Sequence, residues 1–483
     1  MKSFGNIAKD GQVRAVASGA LTDGTPVVVN SDGTVSIVAQ SGASVGTATT
    51  YAATDIGDQE SAPSVVYDTN SDRIVVFYAD EDNSNYGTAL VGTVSSGSIS
   101  FGTAVVFESS TTQFISATFD SSNNKIVVAY TEYSDGRAGN CVVGTVDPSD
   151  NSISFGSEAE FAADARPKSI AFDSSNNKVL IVYKDGSQHG NAIVGTVSGT
   201  SISYGSNNKW QSAQTNRPKV VFDSSSNRFL VTYVDAGNSD KGAARVATIS
   251  STSVSLGSET FFNDAATTEV NPTFDSTINK VIIAYKDTAD SAKGKGIIGT
   301  ISGTSVSFGS EAEFTTNEPS HVVPQYDSVN NKFSVSFRDQ DDSAIGKVAV
   351  GTVSGTSISF ESPITFKGGT EIKNIATGFD PDTGQTFIFY SDSLNGDRPE
   401  YISLNTVTKN LTTENFIGFS DGAYADTQSA AINTTNTIDR NQSSLTAGQT
   451  YFVQTDGTLG LTAASPSVTA GTAISATELI VKG

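Results

Sequence analysis

Fifty-one acidic side chains against 29 basic ones leave this 483-residue chain with a net charge of −22, and many of the acids recur on a fixed period. Seven aspartates, Asp68, Asp120, Asp173, Asp223, Asp275, Asp327 and Asp380, follow one another at intervals of 50 to 53 residues. A second series comprises Asp80, Glu132, Asp185, Asp235, Asp287, Asp339 and Asp392. Carboxylates placed so regularly could hold divalent cations, act in pairs on a glycosidic bond, or accept hydrogen bonds from the backbone of tight turns. The local text decides for the first series. Phe119 to Tyr130 reads FDSSNNKIVVAY and Phe172 to Tyr183 reads FDSSNNKVLIVY. Asp followed by Ser and Asn at a link between two apolar runs is turn chemistry, because these side chains bind nearby N–H groups and Asn tolerates positive φ. The second series ends the next apolar run, where a turn role again comes first and cation binding is the alternative.

The rest of the chemical inventory is thin. Two histidines, His189 and His321, cannot build a three-histidine metal site, and no HExxH, Walker A or GxSxG run is present. The one cysteine, Cys141, excludes an internal disulfide and sits in an apolar stretch as a small hydrophobe. The expectation is therefore no catalytic residues, no metal and no cofactor. The acidic balance argues against nucleic acid or anionic lipid as a partner. No stretch has the 18 or more apolar residues of a membrane span, and MKSFGNIAKDGQVR lacks the apolar segment of a secretory signal.

The elements that must position these residues follow from the period. Ile115 to Phe119, Lys125 to Tyr130, Asn140 to Val146 and Ser152 to Phe161 read as four successive strands, which is one blade of a propeller. Runs such as Ile126 to Tyr130 are apolar throughout, as in a sheet covered on both faces, whereas Ser152 to Phe155 alternates as an outer strand does. The turn aspartates resemble loosely the Asp-box turn of sialidase-type propellers, without its trailing aromatic. First-to-third strand sets occur seven times, but the seventh has no fourth strand after Val407. Val45 to Tyr51 matches the fourth-strand text Phe101 to Phe107, so the spacing predicts an all-β, seven-bladed β-propeller closed by an N-terminal strand.

Outside the repeats, Leu21 to Val35 and Leu445 to Leu459 echo each other, each with an Asp-Gly hairpin signal, Asp32-Gly33 and Asp456-Gly457. The expected organisation is a small β-domain built from residues 1–40 and 416–483, with the propeller, residues 41–415, inserted between its halves.

Links between second and third strands, and between blades, vary in length, while the links at the opposite end are short and repetitive. A varied face on a constant scaffold is where recognition is expected. The candidate binding residues there are Tyr86, Tyr133, Arg137, Arg166, His189, Trp210, Arg217, Arg338 and Arg398, since aromatic faces with Arg and Asp suit sugars.

VVGTVDPSDNSISFGSEAEF, AIVGTVSGTSISYGS, and the ending NFIGFSDGAYADT through SSLTAGQTYFVQTDGTLGLTAASPSVTAGTAISATELIVKG resemble repeat-rich, tail-fibre-like virion structural proteins of marine tailed bacteriophages, including cyanophages. The resemblance implies a non-enzymatic virion appendage component. It would be assembled in a host cytoplasm without a signal peptide, with other virion proteins as partners and a host-surface glycan or receptor as ligand. Self-association into a homo-oligomer, a carbohydrate-active enzyme and a purely architectural capsid decoration protein remain alternatives at this stage.

Overall fold

A computed structural model describes residues 11–52, 55–56 and 62–482. The first ten residues, on which the expectation about a secretory signal rests, lie outside the described residues. The described chain is all-β, with antiparallel sheets and no α-helix, and it divides into two compact units, Ala43–Thr406 and the pair of segments Met1–Gly42 and Val407–Gly483.

The larger unit repeats one sheet. In the third repeat Ala165–Asp173, Lys178–Asp185, Gly190–Ser198 and Ser201–Tyr204 pair in order, and Asn208–Gln211 returns to pair with Gly190–Ser198. The fourth strand is thus two short pieces, not the single run that the sequence suggests. Its break falls at Gly205, where a Cβ would stand 1.8 Å from the Thr252 carbonyl oxygen of the next repeat's hairpin. Gly102, Gly156, Gly257 and Gly309 meet the carbonyls of Asn151, Thr200, Thr304 and Thr356 in the same way. The sixth repeat has Glu361 at this position. The seventh repeat, Ile372–Asp380, Gln385–Asp392 and Arg398–Asn405, has no such hairpin to press against it. Its outer positions are filled by Ser44–Val45 and Thr49–Thr50, which pair with Arg398–Asn405 from the other end of the sequence.

Second strands are buried because both faces are used. Ile126, Val128 and Tyr130 pack with Val75 and Phe77 of the first repeat, while Val127 and Ala129 pack with Val179 and Ile181 of the third. Five further neighbour pairs of this kind include Tyr51, Ile74 and Val76 with Phe387 and Phe389, which joins the first repeat to the seventh. First strands also pack in series, from Val105–Asp120 through Ala165–Asp173, Thr215–Asp223, Thr260–Asp275 and Pro319–Asp327 to Ile372–Asp380. The last packs on Ser64–Asp68, which packs on Val105–Asp120.

The smaller unit holds two sheets of five strands with the same strand order. One is Gln12–Val16, Ser429–Asn433, Phe416–Ser420, Pro26–Val29 and Val35–Ile37; the other is Ile438–Asp439, Leu479–Val481, Thr469–Ala473, Thr450–Val453 and Leu459–Gly460. Their hairpins match bond for bond: Gly33 N donates to Asn30 O at 2.9 Å and Gly457 N to Gln454 O at 3.0 Å. Val28, Phe419, Tyr451, Val453 and Leu479 fill a core shared by both sheets. The larger unit is inserted between the third and fourth strands of the first copy.

Candidate functional site

The two acid series sit at opposite ends of the second strands. Each aspartate of the first series ends a first strand, is buried, and takes the N–H groups two and three residues on: Asp173 accepts from Ser175 N at 2.9 Å and Asn176 N at 3.0 Å, and Asp327 accepts from Val329 N and Asn330 N, both at 3.0 Å. The residue four positions on turns with positive φ, as at Asn124, Asn177, Asn227, Asn279 and Asn331. These carboxylates are consumed by their turns.

At the other end of the sheets the first strands are bulged. Register slips between Gln113 and Ser116, Asn216 and Lys219, Thr268 and Asn271, and Ser320 and Val323 put Phe114, Arg217, Glu269 and His321 at φ of 49 to 55°. Left-handed backbone at such side chains costs roughly 1–3 kcal/mol per residue and persists only where the surrounding structure holds it. The bulges re-aim side chains out of the period-two pattern.

Around them lies a cavity of about 480 Å³, lined by Phe114, Lys184, Asn216, Arg217, Asp240, Thr267, Thr268 and Thr288, with Val234 and Ala266. Its lining comes from first-strand starts, second-strand ends and the links beyond them, the side with the varied loops. Arg217 forms an ion pair with Glu269 at 3.0 Å, and Glu269 accepts from His321 N at 3.0 Å. Lys184 Nζ donates to Asn216 Oδ1 at 3.4 Å. Enclosure, with the Arg217 charge beside it, lowers the Lys219 amine to about 8, and burial lowers His321 to about 4 so that its ring is neutral at pH 7. The cavity offers guanidinium, ammonium, amide and hydroxyl donors, one carboxylate and one aromatic face. That set has the donors to hydrogen-bond a polyol and the charge to pair with an anion.

Of the nine residues expected at a binding face, Arg217 lines the cavity, and Arg166 stands opposite Lys184 in register. Tyr133 and Arg137 form a separate pair, with the guanidinium 5.3 Å from the ring centroid, Tyr133 48% exposed and Arg137 half-buried. His189 lies 3.3 Å from Asp185, with Lys209 Nζ 3.0 Å from its Nδ1. Trp210 packs edge-on to Tyr233 at 4.7 Å, over the space left by Gly190, and belongs to the apolar layer between the third and fourth repeats. Arg338 is held by Ser320, Glu371 and the Ile372 carbonyl. Tyr86 pairs in register with Asp80, and Arg398 with Asp392. The residues that sequence reasoning missed, Lys184, Asn216, Thr267 and Thr268, are common types in ordinary strand positions. The register slips beside Asn216 and Thr268 and the packing of neighbouring repeats bring them together, and neither leaves a mark in composition.

The second acid series binds its loops and, in several repeats, a lysine. Asp185 accepts from Ser187 N and His189 N, both at 2.9 Å. Asp287 accepts from Ala289 N at 3.1 Å and contacts Lys295 Nζ at 2.9 Å; Asp339 contacts Lys347 Nζ at 2.8 Å.

No protein-family model matches the chain, and no curated protein does. Among solved structures, the BP39L lectin from Burkholderia pseudomallei is similar over 72% of this chain and 96% of its own, with a TM-score of 0.53 and 15% identity. A protein of unknown function from Dyadobacter fermentans is similar over 75% of this chain and 99% of its own, with a TM-score of 0.47 and 10% identity. At 15% identity the likeness to the lectin is one of all-β fold.

Proposed function

We propose that the larger unit is a seven-bladed β-propeller that binds a glycan non-enzymatically on its varied-loop side, within a virion appendage protein. The serial packing of seven first strands back to the first supports the propeller, as does the pairing of Ser44–Val45 and Thr49–Thr50 with the seventh repeat. The observation that carries the binding reading is the Arg217 cavity, whose donors and single aromatic face match sugar hydroxyls and a sugar carboxylate. The fold shared with a lectin favours the same ligand class. The virion role rests on the sequence resemblance. In that reading the small β-domain, residues 1–40 and 416–483, docks to other virion proteins.

A glycan array probed with the intact chain tests the ligand. Binding to a restricted set of glycans, weakened at least tenfold by Arg217→Ala in a chain that still folds cooperatively, is expected. An array with no bound glycan, or binding indifferent to Arg217, would overturn it. Immunogold labelling of particles, with and without residues 416–483, tests the docking role.

A further inference from the structure

On the third strands of the second, third, fifth and sixth repeats, the residue opposite the buried aromatic of the second strand reaches the acid that ends that second strand. In the fifth repeat this is Lys295, opposite Tyr285, and its ammonium lies 2.9 Å from Asp287, 2.9 Å from Asp290 and 2.8 Å from Glu311. Lys347 does the same in the sixth, at 2.8 Å from Asp339 and 2.7 Å from Asp342. The third repeat is neutral at the matching point. Asn191 donates to Asp185 at 3.0 Å through Nδ2, and its Oδ1 accepts from Asn207 at 2.9 Å.

The second repeat follows neither solution. Asn140, opposite Tyr130, directs Nδ2 to Glu132 at 3.3 Å, but the place of Asn207 is taken by Glu158, which once ionised has no proton to give. Asn140 is 2% exposed and its Oδ1 has no hydrogen-bond partner. Glu108 adds a third carboxylate and accepts from Tyr130 Oη at 3.0 Å. One oxygen each from Glu108, Glu132 and Glu158 lie within 4.8 Å of one another, and among the described residues none of the three is ion-paired to a lysine or arginine. Where the fifth and sixth repeats place an ammonium, this one places the Asn140 amide among three carboxylates.

We propose that Glu108, Glu132 and Glu158, with Asn140 Oδ1 and Tyr130 Oη, form a binding site for one calcium-class divalent cation. Oxygens bound to Ca²⁺ at 2.3–2.6 Å stand up to about 5 Å apart, which the cluster spacing meets, whereas the octahedron of Mg²⁺ is tighter. The ion would satisfy the buried amide oxygen and the three charges together, as Lys295 satisfies its own three acids. Burial, then the hydrogen bond and charge of Glu108 and the charge of Glu132, hold the Glu158 carboxyl up to about 7, so a proton competes for the same place. The other groups facing Glu158 are Tyr130 and Tyr204.

Calorimetric titration of the intact chain with CaCl₂ at pH 8, with Tb³⁺ emission sensitised by tyrosine as a second readout, tests the site. One ion per chain is expected, with Tm rising by roughly 2 °C at Ca²⁺ about 100-fold above Kd. Glu158→Gln should weaken binding at least tenfold. Asn140→Lys, which copies Lys295, should fold with an undiminished Tm and lose the Ca²⁺ response. A Tm indifferent to Ca²⁺ at pH 8, or an Asn140→Lys chain that keeps the response, overturns the site. If Tm instead rises on acidification to pH 6 and Ca²⁺ has no effect, a shared proton occupies the space and the metal proposal falls.

Discussion

Asn140 and Lys295 occupy one position in two repeats, each in register with the buried tyrosine beside it, Tyr130 or Tyr285, yet one ends in an amide and the other in an ammonium. The backbone is held constant while the charge at the end of the sheet is set repeat by repeat. Single substitutions can therefore probe the charge at each sheet end separately from the backbone that carries it.

Lys295 is 4% exposed and compensates three carboxylates. Removing one partner of a buried ionic group leaves the others uncompensated, at about 3–5 kcal/mol for full burial. Asp290 and Glu311 are 42% and 47% exposed, so Lys295→Met should cost about 2–3 kcal/mol. Urea denaturation measures it, and an unmoved midpoint would remove the compensating role.

Gly205→Ala places a methyl 1.8 Å from the Thr252 carbonyl and should destabilise by about 1–3 kcal/mol through displacement of that hairpin. Glu361→Ala, at the matching position of the sixth repeat, should change stability by less than about 0.5 kcal/mol. Equal effects at the two sites would contradict the hairpin explanation.

Asp173→Ala removes the acceptor of Ser175 N, Asn176 N and the Asn176 amide. A loss of about 1–3 kcal/mol is expected from the buried donors left behind, with glycan binding at native temperature unchanged. Weakened binding by a folded Asp173→Ala chain would return the first aspartate series to the functional site.

Two groups give stability opposite slopes with pH. His321 falls from 6.5 to about 4 in the folded chain, so the unfolded state binds the extra proton and stability declines as pH drops through that window. Glu158 rises from 4.5 to about 7, so the folded state binds the extra proton and, without metal, stability declines as pH climbs from 4.5 to 7. His321→Gln should flatten the acid arm and Glu158→Gln the other, read as Tm from pH 4 to 8. A Tm profile unaltered by either change would dismiss both assignments.

The repeat was legible because Asp120 and Asp173 stand in nearly identical text, and each of the seven turns needs the same carboxylate. The fate of Val45 to Tyr51 was legible for a related reason, since the seventh repeat lacks its own outer strand. Glu361 carried a further signal: it departs from the repeated glycine where no hairpin follows. The cavity was not legible. Arg217 reaches it through a slip of register, and Lys184 and Thr267 are drawn from different repeats by packing. Trp210 shows the converse, because its burial depends on the absent side chain of Gly190, which lies 20 residues earlier in the sequence.

The larger unit leaves and re-enters the smaller one through two chain crossings, and Gln40 and Ser41 pair with Lys409 and Thr408 beside them. A body hung on one linker depends on one covalent path. Here tension divides between two, and neither a single proteolytic nick nor the fraying of one strand sets the larger unit loose. The point of insertion is a double tether.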